Sequence, residues 1–363
     1  MRVKQFMAVK LTITASLLLS SAYVLSTTNN SEKSELKYPA QEFDLQQWSL
    51  NPPTDVDGDG IVDDVSVKAL QEYHHEKFFY LDEDQNMVFA APNKAVTSVN
   101  STNTRSELHQ RLSGVEAGSF YTDNFSIAAN PESEKYPQVG GYMEATLKVD
   151  HVPRRAKYTE KPTAYSVVIG QVHAVQDETM QKKGQGYGWG NEPLKIYYKK
   201  HPEHEYGSVF WNYERNLVKN DSNRIDISYS VWGEPWLSKQ EPGKDGIALN
   251  EPFSYKVNIH ENIMYLTFTS DRLGSINYQI DLANNVDALG EIDIYDHPAG
   301  YTGEAFHFKA GAYNQCSTKD ALSFRYPACP GSGDWQTDKS MGDYTQVTFM
   351  QLLTDKAREP QSH

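Results

Sequence analysis

Along most of this chain apolar and polar residues alternate one for one, and stretches with helical spacing are scarce. Successive side chains of a strand point to opposite faces of a sheet, so a period of two marks strands with one buried face. Short runs rich in β-branched and aromatic residues recur at 142–152, 165–175, 194–199, 208–213, 224–232, 253–259, 263–269, 276–282, 305–315 and 346–353. Turn clusters at 130–134 and 241–246 help to separate them. Many short strands with such punctuation predict an all-β protein, a jelly-roll sandwich. One short helix is expected over 67–75. No repeat, low-complexity block or linker breaks the chain beyond residue 37, so 38–363 reads as a single domain.

Four of the alternating stretches have a polar face of uncommon content. Over 306–315 the even positions Phe306, Phe308, Ala310 and Ala312 are apolar, and the odd ones are His307, Lys309, Gly311, Tyr313 and Gln315. Within 167–175, Val168, Gly170, Val172 and Ala174 are expected on one face and Gln171 and His173 on the other. Over 104–112, Arg105, Glu107, His109 and Arg111 alternate with Ser106, Leu108, Gln110 and Leu112; Lys195, Tyr197 and Lys199 share one side of 194–199. Solvent faces usually carry Thr, Ser, Lys and Glu. Arg, Gln, His, Lys and Tyr together can bind carboxylates and move protons. If the four strands share a sheet, their cations line one concave groove.

Charge sharpens this picture. With 34 Lys and Arg against 48 Asp and Glu, the net charge is −14, which argues against a nucleic-acid partner. A polyanionic substrate would need the few cations gathered locally, as a common face would gather them. An aromatic share of 12% with 23 Tyr, and a mean hydropathy of −0.64, suit a β-rich protein with wet aromatic surfaces.

The N-terminus reads as a Sec signal peptide over 1–26: Arg2, Lys4 and Lys10 precede an apolar stretch over 11–25, with small residues for cleavage after Ala22 or Ser26. That stretch is shorter than the roughly 20 residues a membrane span needs, so the mature form is expected to have none. A flexible leader over 27–37 follows. Export to the periplasm or medium would let Cys316 and Cys329, the two cysteines of the chain, pair as a disulfide.

Three stretches resemble the signature regions of polysaccharide lyase family 7, the alginate lyases. Arg105-Ser106-Glu107-Leu108-His109 is similar to Arg-(Ser/Thr)-Glu-(Leu/Val)-Arg, and Gln171-Val172-His173 matches Gln-(Ile/Val)-His. His307-Phe308-Lys309-Ala310-Gly311-Ala312-Tyr313-Asn314-Gln315 is similar to Tyr-Phe-Lys-Ala-Gly-x-Tyr-x-Gln. The order agrees, and the resemblance spans roughly 43–353. His109 stands for the usual second Arg and His307 for the usual first Tyr.

The resemblance implies β-elimination in a 1,4-linked uronate polysaccharide such as alginate, by a monomer without a catalytic cofactor. Arg105 and Gln171 would neutralise the substrate carboxylate. Tyr313 would protonate the leaving oxygen and, for mannuronate, also take the C5 proton; His173 would be the base for guluronate. Glu107 would orient Arg105, and His109, Lys195, Tyr197, His307, Lys309 and Gln315 would bind neighbouring sugars. Val172 leans toward mannuronate-rich substrate.

Two other signals compete. Asp55, Asp57, Asp59 and Asp63 fall at calcium-loop positions, with Gly60 at the turn, and could hold a structural calcium; Ser66 stands where the bidentate Glu belongs. Glu291, Asp293 and Asp296 resemble the catalytic strand of family 16 glycoside hydrolases, with Glu291 and Asp293 on one face. A hydrolase, or a lectin that binds sugar without cutting it, is the alternative reading.

Overall fold

A computed structural model describes residues 37–116, 118–157, 165–320 and 326–360. The expected signal peptide, and all of the expected leader but Lys37, lie outside these residues. From Lys37 onward the chain forms one compact unit.

Its strands are β1 (Trp48–Asn51), β2 (Phe79–Leu81), β3 (Met87–Pro92), β4 (Asn103–Gln110), β5 (Gly141–His151), β6 (Ser166–Ala174), β7 (Leu194–Lys199), β8 (Tyr206–Glu214), β9 (Asp226–Trp232), β10 (Ile247–Ala248), β11 (Phe253–His260), β12 (Ile263–Ser270), β13 (Gly274–Asp281), β14 (Phe306–Ser317) and β15 (Tyr344–Asp355). They form two antiparallel sheets of a jelly-roll sandwich. One runs β1-β4-β14-β6-β7-β8-β10, with β9 also paired to β8; the other runs β13-β12-β11-β5-β15-β3-β2. Leu108, Ile196, Trp211 and Phe308 from the first sheet meet Leu147, Tyr255, Phe268 and Phe349 from the second in one apolar core.

The ten expected strands, and an eleventh over the alternating stretch 104–112 (β4), are all present, with ends shifted by a few residues. Four others escape the alternation rule. In β3 every residue is buried: Met87 and Phe89 face the sandwich core, while Ala90 is covered from outside by Phe78 and Trp335. A strand covered on both sides shows no polar period. The helix expected over 67–75 is one turn, Val67–Leu70, capped by Ser66 Oγ. The chain then turns so that His75 bridges to Phe79, which ends the helix early.

One expected face is corrected. In β6, Val168 pairs with Tyr197 but Gly170 with Ile196, so one extra residue bulges from the strand. A bulge reverses the facing of everything beyond it. Val167 and Ile169 therefore enter the core with Val172 and Ala174, whereas Val168 lies on the outer face against Tyr197, Phe210, Trp236 and Tyr313. Gly170 is required by close approach: a Cβ there would stand 2.6 Å from the Tyr255 hydroxyl.

A second bulge, in β14, lies opposite the same place, between Ala310 and Tyr313. Gly311 adopts φ of +146°, and a Cβ on it would meet Ser106 O at 2.5 Å. Beyond it, Cys316 is disulfide-bonded to Cys329, tying the end of β14 to the segment that follows.

Gly311→Ala should cost about 1–3 kcal/mol of stability in denaturant unfolding, because both its backbone conformation and its space exclude a methyl group. Gly58→Ala, equally left-handed but unobstructed, is the control and should cost about 1 kcal/mol.

Candidate active site

The outer face of the first sheet collects the sequence-marked residues, because β4, β14, β6 and β7 are consecutive neighbours in it. Register sets them in rows. His109, Lys309, Gln171 and Lys195 lie side by side across the four strands, each paired with the next. A second row runs Arg105, Tyr313, Val168, Tyr197 and Phe210, and His307 pairs with His173. The side chains of Arg105, Glu107, Gln171, Lys195, His307, Lys309 and Gln315 are buried or nearly so.

Glu107 is the hub. Its Oε2 takes Arg105 Nη1 at 3.1 Å, and its Oε1 accepts from Gln171 Nε2 at 2.5 Å. Glu107 and Gln171 are on strands separated by β14, and Glu107 faces Gly311 across the first gap. Gly311 has no side chain to stand between them. His109 Nε2 approaches the same Oε2 at 3.4 Å but is not aligned for a hydrogen bond. Burial alone would raise the Glu107 carboxyl; the His109 ring and the charges of Arg105 and Lys309 outweigh it and hold the group at about 2. Its ionised form anchors both carboxylate-binding candidates.

Arg105 also covers Tyr313, its guanidinium carbon 4.1 Å from the ring centroid. The Tyr313 hydroxyl is half-buried and lies 3.1 Å from Ser101 Oγ, either of which can donate. Gln315 donates to the Tyr313 carbonyl at 3.1 Å. Tyr197 stacks on Phe210 with centroids 5.0 Å apart, beside Trp236. The loop carrying Trp236 is held by Lys199, whose ammonium donates to Ser238 O at 2.7 Å and to Trp236 O. Tyr197 is wholly buried, so it forms the floor under other groups rather than an exposed contact.

The two lysines of the first row differ in state. Lys195 Nζ lies 3.1 Å from Asp226, 3.4 Å from Glu192 and 4.0 Å from Glu214. Burial opposes its charge, but Asp226 and Glu192 outweigh burial and raise it well above the ordinary lysine value. Lys195 thus sits in a buried ion cluster and is not presented to a ligand. Lys309 touches no carboxylate among the described residues, and burial lowers it to about 8 against the longer-range pull of Glu107.

Three imidazoles cluster beside it: His307 is 5.4 Å from His173 and 6.1 Å from His109, centroid to centroid. Burial first, and Lys309 second, lower all three. They are neutral near pH 7.

Glu192, Glu214, Asp226, Arg224 and Ser101 were not marked by the sequence. Glu192 lies in the turn before β7, and its Oε1 stands 3.2 Å from His173 Nε2, a contact between residues with no shared strand pattern. The acidic residue before Pro193 was the one local hint, and a weak one.

The rival constellations come apart. The segment 291–296 is an irregular loop: Asp293 binds Arg215 Nε at 2.7 Å, Asp296 is buried against the Tyr213 hydroxyl and Asn216 N, and Glu291 is exposed. No strand period aligns these carboxylates for paired hydrolysis. In the 55–63 loop, Asp55, Asp57 and Asp59 bring carboxylate oxygens within 4.8 Å of one another. Asp63 is turned aside to Thr54 Oγ1 and Val56 N, so three of the four expected ligands converge.

The family model described as alginate lyase matches residues 43–356. An alginate lyase from Klebsiella pneumoniae is 31% identical over 327 residues, covering 86% of this chain and 90% of the relative. A crystal structure of the alginate lyase from Klebsiella pneumoniae superposes with a TM-score of 0.67 at 28% identity, covering 88% of this chain and 99% of the other. The exolytic PL7 alginate lyase AlyA5 from Zobellia galactanivorans gives 0.70 at 32% identity, covering 89% and 99%. The span matched by the family model includes Arg105, Gln171, His173 and Tyr313, and this chain belongs to the alginate lyases of polysaccharide lyase family 7.

Proposed function

We propose that the enzyme cleaves alginate by β-elimination on the outer face of the first sheet, with Arg105 and Gln171 on the substrate carboxylate. The C5 proton of a uronate is a poor acid because its carboxylate is already negative. Elimination becomes accessible when fixed donors take up the charge that spreads into that carboxylate in the transition state. The observation that carries the reading is the shared anchor: one Glu107 carboxylate holds the Arg105 and Gln171 side chains together. Donors already held in place need little reorganisation when charge develops.

Tyr313 is the acid that protonates the C4 oxygen as it leaves. In mannuronate the C5 hydrogen and this oxygen lie on the same side of the ring, so Tyr313 also serves as the base. In guluronate they lie on opposite faces, and His173, neutral at working pH, is the base. Lys309, with His307 and His109 beside it, binds a neighbouring carboxylate. Gln315 supports Tyr313 from its own strand. The chemistry asks for no metal, since guanidinium and amide supply the neutralising charge and dipole; calcium at Asp55, Asp57 and Asp59 would be structural. The basic N-terminus followed by an apolar stretch, together with a disulfide, supports action of a single chain outside the cytoplasm. Among the described residues no helix is long and apolar enough to cross a membrane.

Tyr313→Phe should lower kcat on polymannuronate at least about a thousand-fold, read as the ultraviolet absorbance of unsaturated uronate, while oligouronate binding by calorimetry stays within a few-fold. Near-normal turnover would remove Tyr313 from the chemistry.

Lys309 is charged below about 8 and neutral above it, while uronate carboxylates stay ionised throughout. The kcat/KM profile should therefore fall as pH rises through about 8. Lys309→Arg keeps its charge to above pH 12, and should move that alkaline limb upward by at least about one pH unit. An unmoved limb assigns it to another group.

A further inference from the structure

Ser101 has more partners than one hydroxyl can serve at a time. Its Oγ accepts from Asn103 N at 3.1 Å, lies within hydrogen-bond reach of Asn103 O at 3.3 Å, and stands 3.1 Å from the Tyr313 hydroxyl. A serine hydroxyl has one hydrogen to give. A carbonyl oxygen only accepts, so Asn103 O competes for that hydrogen, whereas Tyr313 can either take it or give its own. Two arrangements follow. With the hydrogen on Asn103 O, Ser101 offers Tyr313 a lone pair, and the phenolic O–H is spent on it. With the hydrogen on Tyr313, the phenol oxygen accepts from Ser101, and its own O–H is released for another acceptor.

The turn that carries Ser101 is held without that hydrogen. Ser101 N donates to Ser98 O at 3.0 Å, Thr97 Oγ1 donates to Ser101 O at 2.9 Å, and Thr97 is bridged to Ile61. Among the described residues the phenol oxygen of Tyr313 has no other hydrogen-bond partner. The proposed reaction takes Tyr313 through its phenolate. As the C4–O bond breaks, its electron pair stays on the leaving oxygen, the phenolic proton joins it, and negative charge remains on Tyr313. In the mannuronate route a phenolate takes up the C5 proton, and the pair left behind forms the C4–C5 double bond. A phenolate cannot donate, and a hydrogen bond to an ionised oxygen is stronger than one between neutral groups. Charge on Tyr313 therefore draws the Ser101 hydrogen away from Asn103 O, by rotation of one hydroxyl.

We infer that Ser101 is a positioning residue for Tyr313: its hydroxyl turns from Asn103 O to the phenol oxygen, which releases the phenolic hydrogen toward the leaving oxygen and stabilises the phenolate that remains. The inference rests on the acid role proposed above for Tyr313.

The test is the split between kcat and KM on polymannuronate. Ser101→Ala should lower kcat about ten-fold, the size of one hydrogen bond to a charged group, and leave KM unchanged. Ser101→Thr keeps a hydroxyl and should retain most of the wild-type kcat. Ser101→Asp separates the phenol from the turn: its carboxylate can accept from Asn103 N as the serine does, but it has no hydrogen for Tyr313, so kcat should be at least as low as in the alanine variant. Wild-type kcat in the alanine or aspartate variant, an equal loss in the threonine variant, or a loss confined to KM overturns the proposal. Tyr313→Phe separates the two levels of argument. If it abolishes turnover while Ser101→Ala keeps it, the role of Ser101 fails and the acid stands; if it turns over normally, the acid role itself fails.

Discussion

A carboxylate buried under a sheet face must be compensated on every side, and Glu107 is compensated by the groups proposed to bind the substrate carboxylate. Arg105 and Gln171 donate to it from two strands that are not neighbours, which is open to them only because Gly311 stands between. The same anion fixes the guanidinium, and the guanidinium in turn covers the Tyr313 ring. The proposed carboxylate binder and the proposed proton donor thus share one support. Deleting the Glu107 charge would leave Arg105 buried without its partner, a loss larger than that of one hydrogen bond.

The electrostatics around this hub divide the face into two territories. Toward β7, acids outnumber bases, and Lys195 is enclosed by Asp226, Glu192 and Glu214. Toward β14, Lys309 and Arg105 dominate, and the neighbouring imidazoles are kept neutral by burial and by Lys309. A protein of net charge −14 can therefore still present a cationic spot to a polyanion, because its acids are concentrated elsewhere or paired. His173 stands on the boundary and feels both: Lys309 disfavours its charge and Glu192 favours it.

The bulges of β6 and β14 give the face its relief. By reversing the facing of β6 at Gly170, the first bulge brings Val168 out beside Tyr197, Phe210 and Trp236. An apolar patch then lies next to Tyr313 and excludes water from one side of it. The second sets Gly311 opposite Glu107. Both occur beside the proposed chemistry and not at the sheet edges, as expected where a strand must re-aim its side chains.

Much of this was legible in the chain alone. Strand-like runs and alternation marked eleven strands, and odd positions in 306–315 were rightly separated from the even ones, because facing within a strand is a local property of two-residue period. Motif likeness marked Arg105, Gln171, His173 and Tyr313, and the structure places them on one face. What local pattern could not reach was decided in three dimensions. The facing of Val168 depends on a bulge at Gly170, packed against the Tyr255 hydroxyl, the burial of β3 on Trp335 from far along the chain, and the fate of Lys195 on acids brought in by β8 and β9. Glu291, Asp293 and Asp296 looked like a catalytic strand until Arg215 and Tyr213 claimed two of them. Sequence determines which faces a strand has, since that follows from bonds between adjacent residues; which charges meet across those faces depends on pairings between distant ones, and only the folded sheet makes them.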